Sequence, residues 1–201
     1  MEKDKVCLLA STNKNKLREI SEILANFSFK TIGLDDLPET FEVEETADSF
    51  SGNATLKARA YHKRYPELYV LADDSGLEIK ALDNKPGIYS SRFGGVNTPY
   101  KEKFKMIWSA LKKREVPVED WDARFVCSIA FFEPGDEKPL IFTGKMYGKI
   151  IPEARGDNGF GYDPIFYIPE YKKTSAEIDP ELKNKISHRG RALEKLKAYL
   201  A

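Results

Sequence analysis

No window of this 201-residue chain approaches the roughly eighteen consecutive apolar residues that a membrane-spanning helix requires. Its start, Met1-Glu2-Lys3-Asp4-Lys5, is charged and runs straight into a strand-like segment, which is not the pattern of a secretory signal. A cytoplasmic location, with no membrane partner, is therefore expected. Excess charge of one sign is missing too: 32 Lys and Arg balance 32 Asp and Glu. No overall field draws such a chain to nucleic acid or anionic lipid, and no basic stripe marks a nucleic-acid-binding module. Cysteine is scarce. Cys7 and Cys127 each sit in an apolar run without Cys-x-x-Cys spacing, which points to two buried, reduced thiols rather than a disulfide framework. Internal repeats and low-complexity linkers are absent as well, so residues 1–201 are expected to form one unit, with enough apolar residues for a real core.

What is present alternates between strands and helices. Val6 to Ala10 reads as a buried strand, and Leu17, Ile20, Ile23 and Leu24 recur at helical spacing behind Asn13, a plausible N-cap. Phe29 to Leu34 predicts a second strand, parallel to the first by the usual right-handed crossover. An acidic loop from Leu37 to Asp48 precedes a helix over residues 49–64, with Phe50, Ala54, Ala58 and Tyr61 on one face. Tyr69 to Ala72 predicts a strand that ends in an Asp73-Asp74-Ser75-Gly76 turn, with Leu77 to Leu82 as a hairpin partner. Phe104, Ile107, Trp108 and Leu111 mark an amphipathic helix. Strands are predicted over 123–132, 140–151 and 165–168, and Leu193, Leu196 and Leu200 line a last helix. Helices interleaved with strands early, and hairpins late, predict an α/β fold with a mixed, strongly twisted sheet.

Three segments carry chemistry. Ser11-Thr12-Asn13-Lys14-Asn15-Lys16 lies between strand and helix, where unpaired N–H groups, hydroxyls and ammonium groups suit oxyanions. It has no glycine, so it is neither a Walker A loop nor a dinucleotide fingerprint, and the same residues also make an ordinary capped helix with solvated lysines. Lys57 joins the phosphate candidates from the second helix. Asp73 and Asp74, with Glu44 and Glu45 from the acidic loop, are oxygen donors of the kind Mg²⁺ takes, one or two carboxylates beside substrate phosphates. One of them, not fully occupied by metal, can take a proton from water; the alternative is an ordinary β-turn and a solvated acidic loop. Gly159-Phe160-Gly161-Tyr162-Asp163 sets an aromatic ring where backbone can come close to a base, while Lys183, His188 and Arg189 can donate to a carbonyl oxygen or, for Lys183, to phosphates. A glycine-flanked bend in a core strand is the bland reading of that segment.

Together these segments, with Ala72 to Leu77, Pro86-Gly87-Ile88-Tyr89-Ser90, Gly159 to Pro164 and Ile186-Ser187-His188-Arg189-Gly190, resemble the inosine triphosphate pyrophosphatase family over nearly the whole chain. The resemblance implies a long twisted mixed sheet flanked by helices, two lobes around a central cleft, and a homodimer. It implies Mg²⁺-dependent cleavage of ITP, dITP or XTP between the α- and β-phosphates, releasing the monophosphate and pyrophosphate. By the same resemblance, Ser11 through Lys16 and Lys57 hold the triphosphate, and Asp74 is the catalytic carboxylate and a metal ligand. Glu44 comes first and Glu45 second as its acidic partner, and Ser75 touches substrate. Phe160, Gly161, Tyr162, Asp163, Lys183, His188 and Arg189 form the nucleobase side. The alternatives are a Maf-like pyrophosphatase of pyrimidine or modified nucleotides and a non-catalytic nucleotide sensor.

Overall fold

The computed structural model describes residues 5–25 and 29–201. The charged start from Met1 to Asp4 lies outside the described residues. The elements run β1 (Lys5–Leu9), α1 (Lys14–Leu24), β2 (Phe29–Ile32), α2 (Phe50–Arg64), β3 (Tyr69–Ile79), β4 (Lys85–Pro86), α3 (Tyr100–Lys113), β5 (Asp122–Phe132), β6 (Leu140–Ile150), β7 (Phe166–Ile168), β8 (Lys173–Thr174), α4 (Pro180–Ile186) and α5 (His188–Leu200). The eight strands form one sheet in the order β2-β1-β3-β5-β6-β7-β8, with β4 paired to β3. The β1–β2 and β1–β3 pairs are parallel, whereas β3–β4, β6–β7 and β7–β8 are antiparallel, so the sheet is mixed as expected.

The chain divides into two compact units. The first comprises Met1–Asp74, Cys127–Gly144 and Arg189–Ala201; the second comprises Ser75–Val126 and Lys145–His188. In the first unit the period-two alternation of the strands sorts side chains onto two apolar layers. Cys7, Leu9, Leu71, Cys127, Ile129 and Phe131 pack with Ile20, Ile23 and Leu24 of α1 and Leu193 and Leu196 of α5. Their neighbours Leu8, Ala10, Val70, Ala72, Ala130 and Phe132 pack with Ala54, Ala58 and Tyr61 of α2. In the second unit Leu77, Ile79, Phe104, Ile107, Leu111, Trp121, Phe125, Ile165 and Phe166 belong to one core.

The main departure from expectation is β3. It is one continuous strand from Tyr69 to Ile79 rather than a strand, a turn and a hairpin partner. Asp-Asp-Ser-Gly has the composition of a turn, but both aspartates are buried, Asp73 against Lys16 and Arg189 and Asp74 against Asn53, and those partners outweigh local preference. Residues 80–82 form a 3-10 turn instead of continuing a strand. Helix α4, absent from the expected elements, starts behind Asp179, whose side chain accepts the Glu181 N–H, with Pro180 at its first position.

Helix α5 is glued to the first unit by Leu193 and Leu196, both 0% exposed. Leu193→Ala removes a buried side chain and leaves a cavity, so stability should fall by about 2–5 kcal/mol. The check is a lower urea midpoint at unchanged denaturant slope.

Candidate active site

In the first unit, the loop after β1 ends on Asn13, whose Oδ1 accepts the Asn15 and Lys16 N–H groups at 3.1 and 3.3 Å. Ser11 Oγ accepts the Asn13 N–H at 3.2 Å. This cap orders the first turn of α1 while leaving Thr12, Lys14 and Asn15 exposed. Lys16 is half-buried, and its Nζ stands 3.0 Å from Asp73 Oδ2. The same oxygen receives Arg189 Nη2 at 3.3 Å, and Arg189 Nη1 donates to Glu19. Cys127 Sγ is 3.8 Å from it on the same face. Burial alone would push the Asp73 carboxyl up, but Lys16, Arg189 and Lys57 outweigh it and hold Asp73 well below the usual carboxylate range. Burial pushes the Cys127 thiol up to about 12, so it stays a neutral core thiol. Cys7 is likewise pushed up to about 12 by burial.

Asp74 points to the opposite face of β3, the α2 side. Its Oδ2 accepts from Asn53 Nδ2 at 3.1 Å, and Asn53 Oδ1 in turn accepts the Ala47 N–H at 3.0 Å. One buried amide thus ties the acidic loop to the acid. Four residues further along α2, Lys57 Nζ donates to Glu45 Oε1 and to the Asp73 carbonyl, both at 2.7 Å. Burial opposes the charged form of Lys57, yet Asp73, Asp74 and Glu45 together hold its pKa above the ordinary value. For Asp74 the balance tips the other way. Burial, reinforced by the neighbouring Glu45 charge, outweighs Lys57 and Lys16 and raises its pKa. Glu45 is half-buried in this cluster, whereas Glu44, which the resemblance put first, is exposed.

The second unit holds the other constellation. Asp163 Oδ2 accepts the Phe160 N–H at 2.8 Å and Lys183 Nζ at 2.7 Å, with both side chains buried. Lys183 Nζ also lies 5.3 Å from the centre of the Phe160 ring. Gly159 sits at φ +77°, and a Cβ there would overlap Asp163 Oδ2 and stand 2.8 Å from Lys183 Nζ, so only glycine allows this closure. Gly161 and Phe160 are half-buried, and Ser75 is half-buried on β3. His188 is buried with its ring stacked on Phe125 at 4.9 Å.

Two nucleobase candidates have other partners. Tyr162 is a core residue, 3% exposed, whose hydroxyl donates to the Ser90 carbonyl at 2.9 Å. Arg189 is buried in the first unit against Glu19 and Asp73, because a guanidinium 2% exposed must be met by carboxylates. Asp73 and Asp74 lie within β3, not at a strand end as expected. Sequence reasoning missed Glu19 and Asn53. Asn53 carried a signal, an asparagine in the middle of a helix beside the buried Ala54 and one turn before Lys57; Glu19 carried none.

The raised pKa of Asp74 has a consequence for stability. The folded protein binds this proton more tightly than the unfolded chain, so stability falls as pH rises from about the ordinary 3.8 through the raised value. Asp74→Asn removes that loss and keeps an acceptor for Asn53. Its melting temperature in metal-free buffer should exceed that of the wild type at neutral pH, each ~1 kcal/mol recovered being worth about 2–4 °C. The difference should disappear in acid, below the ordinary carboxylate range.

Residues 7–199 match the Ham1 family. The dITP/XTP pyrophosphatase of Bacillus cereus is 45% identical over 197 residues, which span 98% of this chain and 95% of that protein. The solved structure of a HAM1 protein from Coxiella burnetii superposes with a TM-score of 0.88 at 44% identity, covering 98% of both chains. The Staphylococcus aureus Ham1 protein gives a TM-score of 0.85 at 39% identity, again over 98% of both. With the match running through the α1 loop, β3 and the segment from Gly159 to Arg189, the chain belongs to the Ham1 family.

Proposed function

We propose that the protein hydrolyses noncanonical purine nucleoside triphosphates (ITP, dITP and XTP) to the monophosphate and pyrophosphate. The observation that carries this reading is the cluster in the first unit, where Lys16 and Lys57 meet Asp73, Asp74 and Glu45 beside the start of α1. The name of the 45%-identical Bacillus cereus relative, a dITP/XTP pyrophosphatase, supports the substrate class. Residues 1–201 act on this reading as one two-lobed domain and as a homodimer in the cytoplasm. The family resemblance supports the domain and the dimer, and among the described residues no helix is long and apolar enough to cross a membrane.

Ser11 through Lys16 take the phosphates, with the exposed hydroxyl of Thr12, the side chains of Lys14 and Asn15 and the ammonium of Lys16 as donors. Lys57 assists from α2. Among the described residues no three His, Cys, Asp or Glu gather as a ready metal cage. Mg²⁺ does not need one, since it takes one or two carboxylates and completes its shell with water and phosphate. Asp74 and Glu45 fit it: both offer oxygen, and Glu45 is near enough to raise the Asp74 pKa, a repulsion that a divalent cation relieves. When bound, Mg²⁺ supplies positive charge to the phosphoryl oxygens. Asp74, held at Oδ2 by Asn53, accepts the proton of the water that attacks the α-phosphorus. Asp73 and Arg189 act by position, fixing Lys16. The lysines already stand in place, so little reorganisation opposes the reaction.

On the base side, the Phe160 ring offers a stacking face worth about 1–3 kcal/mol. Lys183 donates to the 6-oxo group, and Asp163 and the buried His188 shape the pocket wall. Donors built for an oxo group are left unpaired against the 6-amino group of adenine, a penalty that can reach ~10⁴-fold.

The test is pyrophosphate release from ITP, dITP, XTP, GTP and ATP with and without Mg²⁺. Release from the first three, dependent on the metal and far above ATP, is expected. Orthophosphate as the first product, or equal rates for ITP and ATP, would overturn the reading. Asp74→Asn should lose about 10²–10⁴-fold in turnover while still binding ITP; ITP binding without turnover in both the wild type and the variant would mark a sensor instead.

A further inference from the structure

Tyr100 opens α3 and belongs to none of the motifs that carry the family resemblance, yet it is anchored on several sides within the second unit. Lys103 Nζ lies 4.6 Å from the centre of its ring. Tyr162 meets it edge-on at 5.2 Å with an 87° interplanar angle, and Phe104 lies 6.4 Å away. The remaining approach is to the base-side loop itself. A side chain on Gly161 would begin 3.7 Å from Tyr100 Cε1 and Cζ and 3.8 Å from the hydroxyl oxygen. The hydroxyl therefore stands beside the backbone that follows Phe160.

Two features separate this residue from a tyrosine that merely covers a helix end. Lys103 is 1% exposed, and its ammonium, bonded to the Ser91 carbonyl, is buried beside the Tyr100 ring. Burying an ammonium is costly, and burial lowers its pKa accordingly, so the fold spends stability to fix this corner. Packing, moreover, needs only the ring. The Tyr100 hydroxyl has no hydrogen-bond partner among the described residues, and the side chain stays 36% exposed while its neighbours Lys103, Phe104 and Tyr162 are buried. Burial and the nearby Asp163 carboxylate raise the phenol pKa, so at neutral pH the group remains an O–H donor.

We infer that Tyr100 is a specificity-determining residue, its hydroxyl donating to the 6-oxo oxygen of a purine stacked at Phe160. This rests on the base-side reading above and adds a donor to it. A neutral phenol is a better donor than acceptor, so it favours an oxo acceptor at the 6-position over the donating amino group of adenine, from which its oxygen accepts only weakly.

The experiment measures kcat/KM for ITP and ATP in the wild type, Tyr100→Phe, Tyr100→Ala and Phe160→Ala, with a melting temperature for each. Tyr100→Phe keeps the ring and its packing, and the ITP-to-ATP ratio should fall about tenfold, as expected for one lost hydrogen bond to substrate. The fall should come from ITP, with the melting temperature close to that of the wild type. Tyr100→Ala should lower the ratio at least as far. A merely structural Tyr100 would depress both substrates together, and an unchanged ratio in Tyr100→Phe overturns the inference. If Phe160→Ala weakens ITP binding in the same series, the base-side reading survives that failure. If Phe160→Ala also leaves the KM for ITP unchanged, the base side itself is misplaced and Tyr100 falls with it.

Discussion

A carboxylate as deeply buried as that of Asp73, 1% exposed among apolar side chains, is tolerable only where cations come to meet it. Much of the first unit is arranged around that demand. Lys16 reaches it from α1 and Arg189 from α5, while Lys57 of α2 takes its backbone carbonyl. Three helices on two faces of the sheet are thereby referred to one residue of β3. Arg189 needs a second anion for its own burial, and Glu19 supplies it. The positive groups are therefore held in fixed positions by the fold's own acids, which is how electrostatic preorganisation is built into a fold.

The same arrangement divides labour between adjacent acids. Asp73 is surrounded by cations and stays ionised, with its Oδ2 committed to Lys16 and Arg189; it is a structural anion. Asp74, one residue later on the other face, has burial and Glu45 against its charge and is the more basic of the two. Pairs of titratable groups whose surroundings push them apart are where acid–base roles are assigned. At the Gly159 to Asp163 loop of the second unit the logic is closure as much as charge. Asp163 draws the Phe160 backbone and the Lys183 ammonium onto one oxygen, and the absence of a side chain at Gly159 leaves room for it.

Much of this was legible in the sequence wherever periodicity and capping agree. The Asn13 cap, the apolar rows of α1, α2 and α3 and the long β5 and β6 strands all lie within a residue or two of where the pattern put them. Local preference misled at Asp73 to Gly76, since turn composition says nothing of the distant cations that make a strand affordable there. It was silent on Glu45 against Glu44, because alternation in an irregular loop does not reveal which carboxylate meets Lys57. Arg189 and Glu19 are 170 residues apart, and no local signal couples them. Tyr162 carries an aromatic ring and a hydroxyl suited to a base, but its burial against Ser90 is a property of packing alone.

Because consecutive residues of a strand face opposite ways, the identity of each aspartate is a matter of odd or even position. Lengthening β3 by one residue ahead of Asp73 would hand the α2 side an acid meant for Lys16 and Arg189, and the reverse, with the composition of the strand hardly altered. Lengthening it by two would restore the assignment. The Asp-Asp pair is therefore assigned only in phase with the strand: a one-residue change within these eleven residues ahead of Asp73 exchanges the two acids, whereas a change of length in a flanking loop leaves their faces as they are.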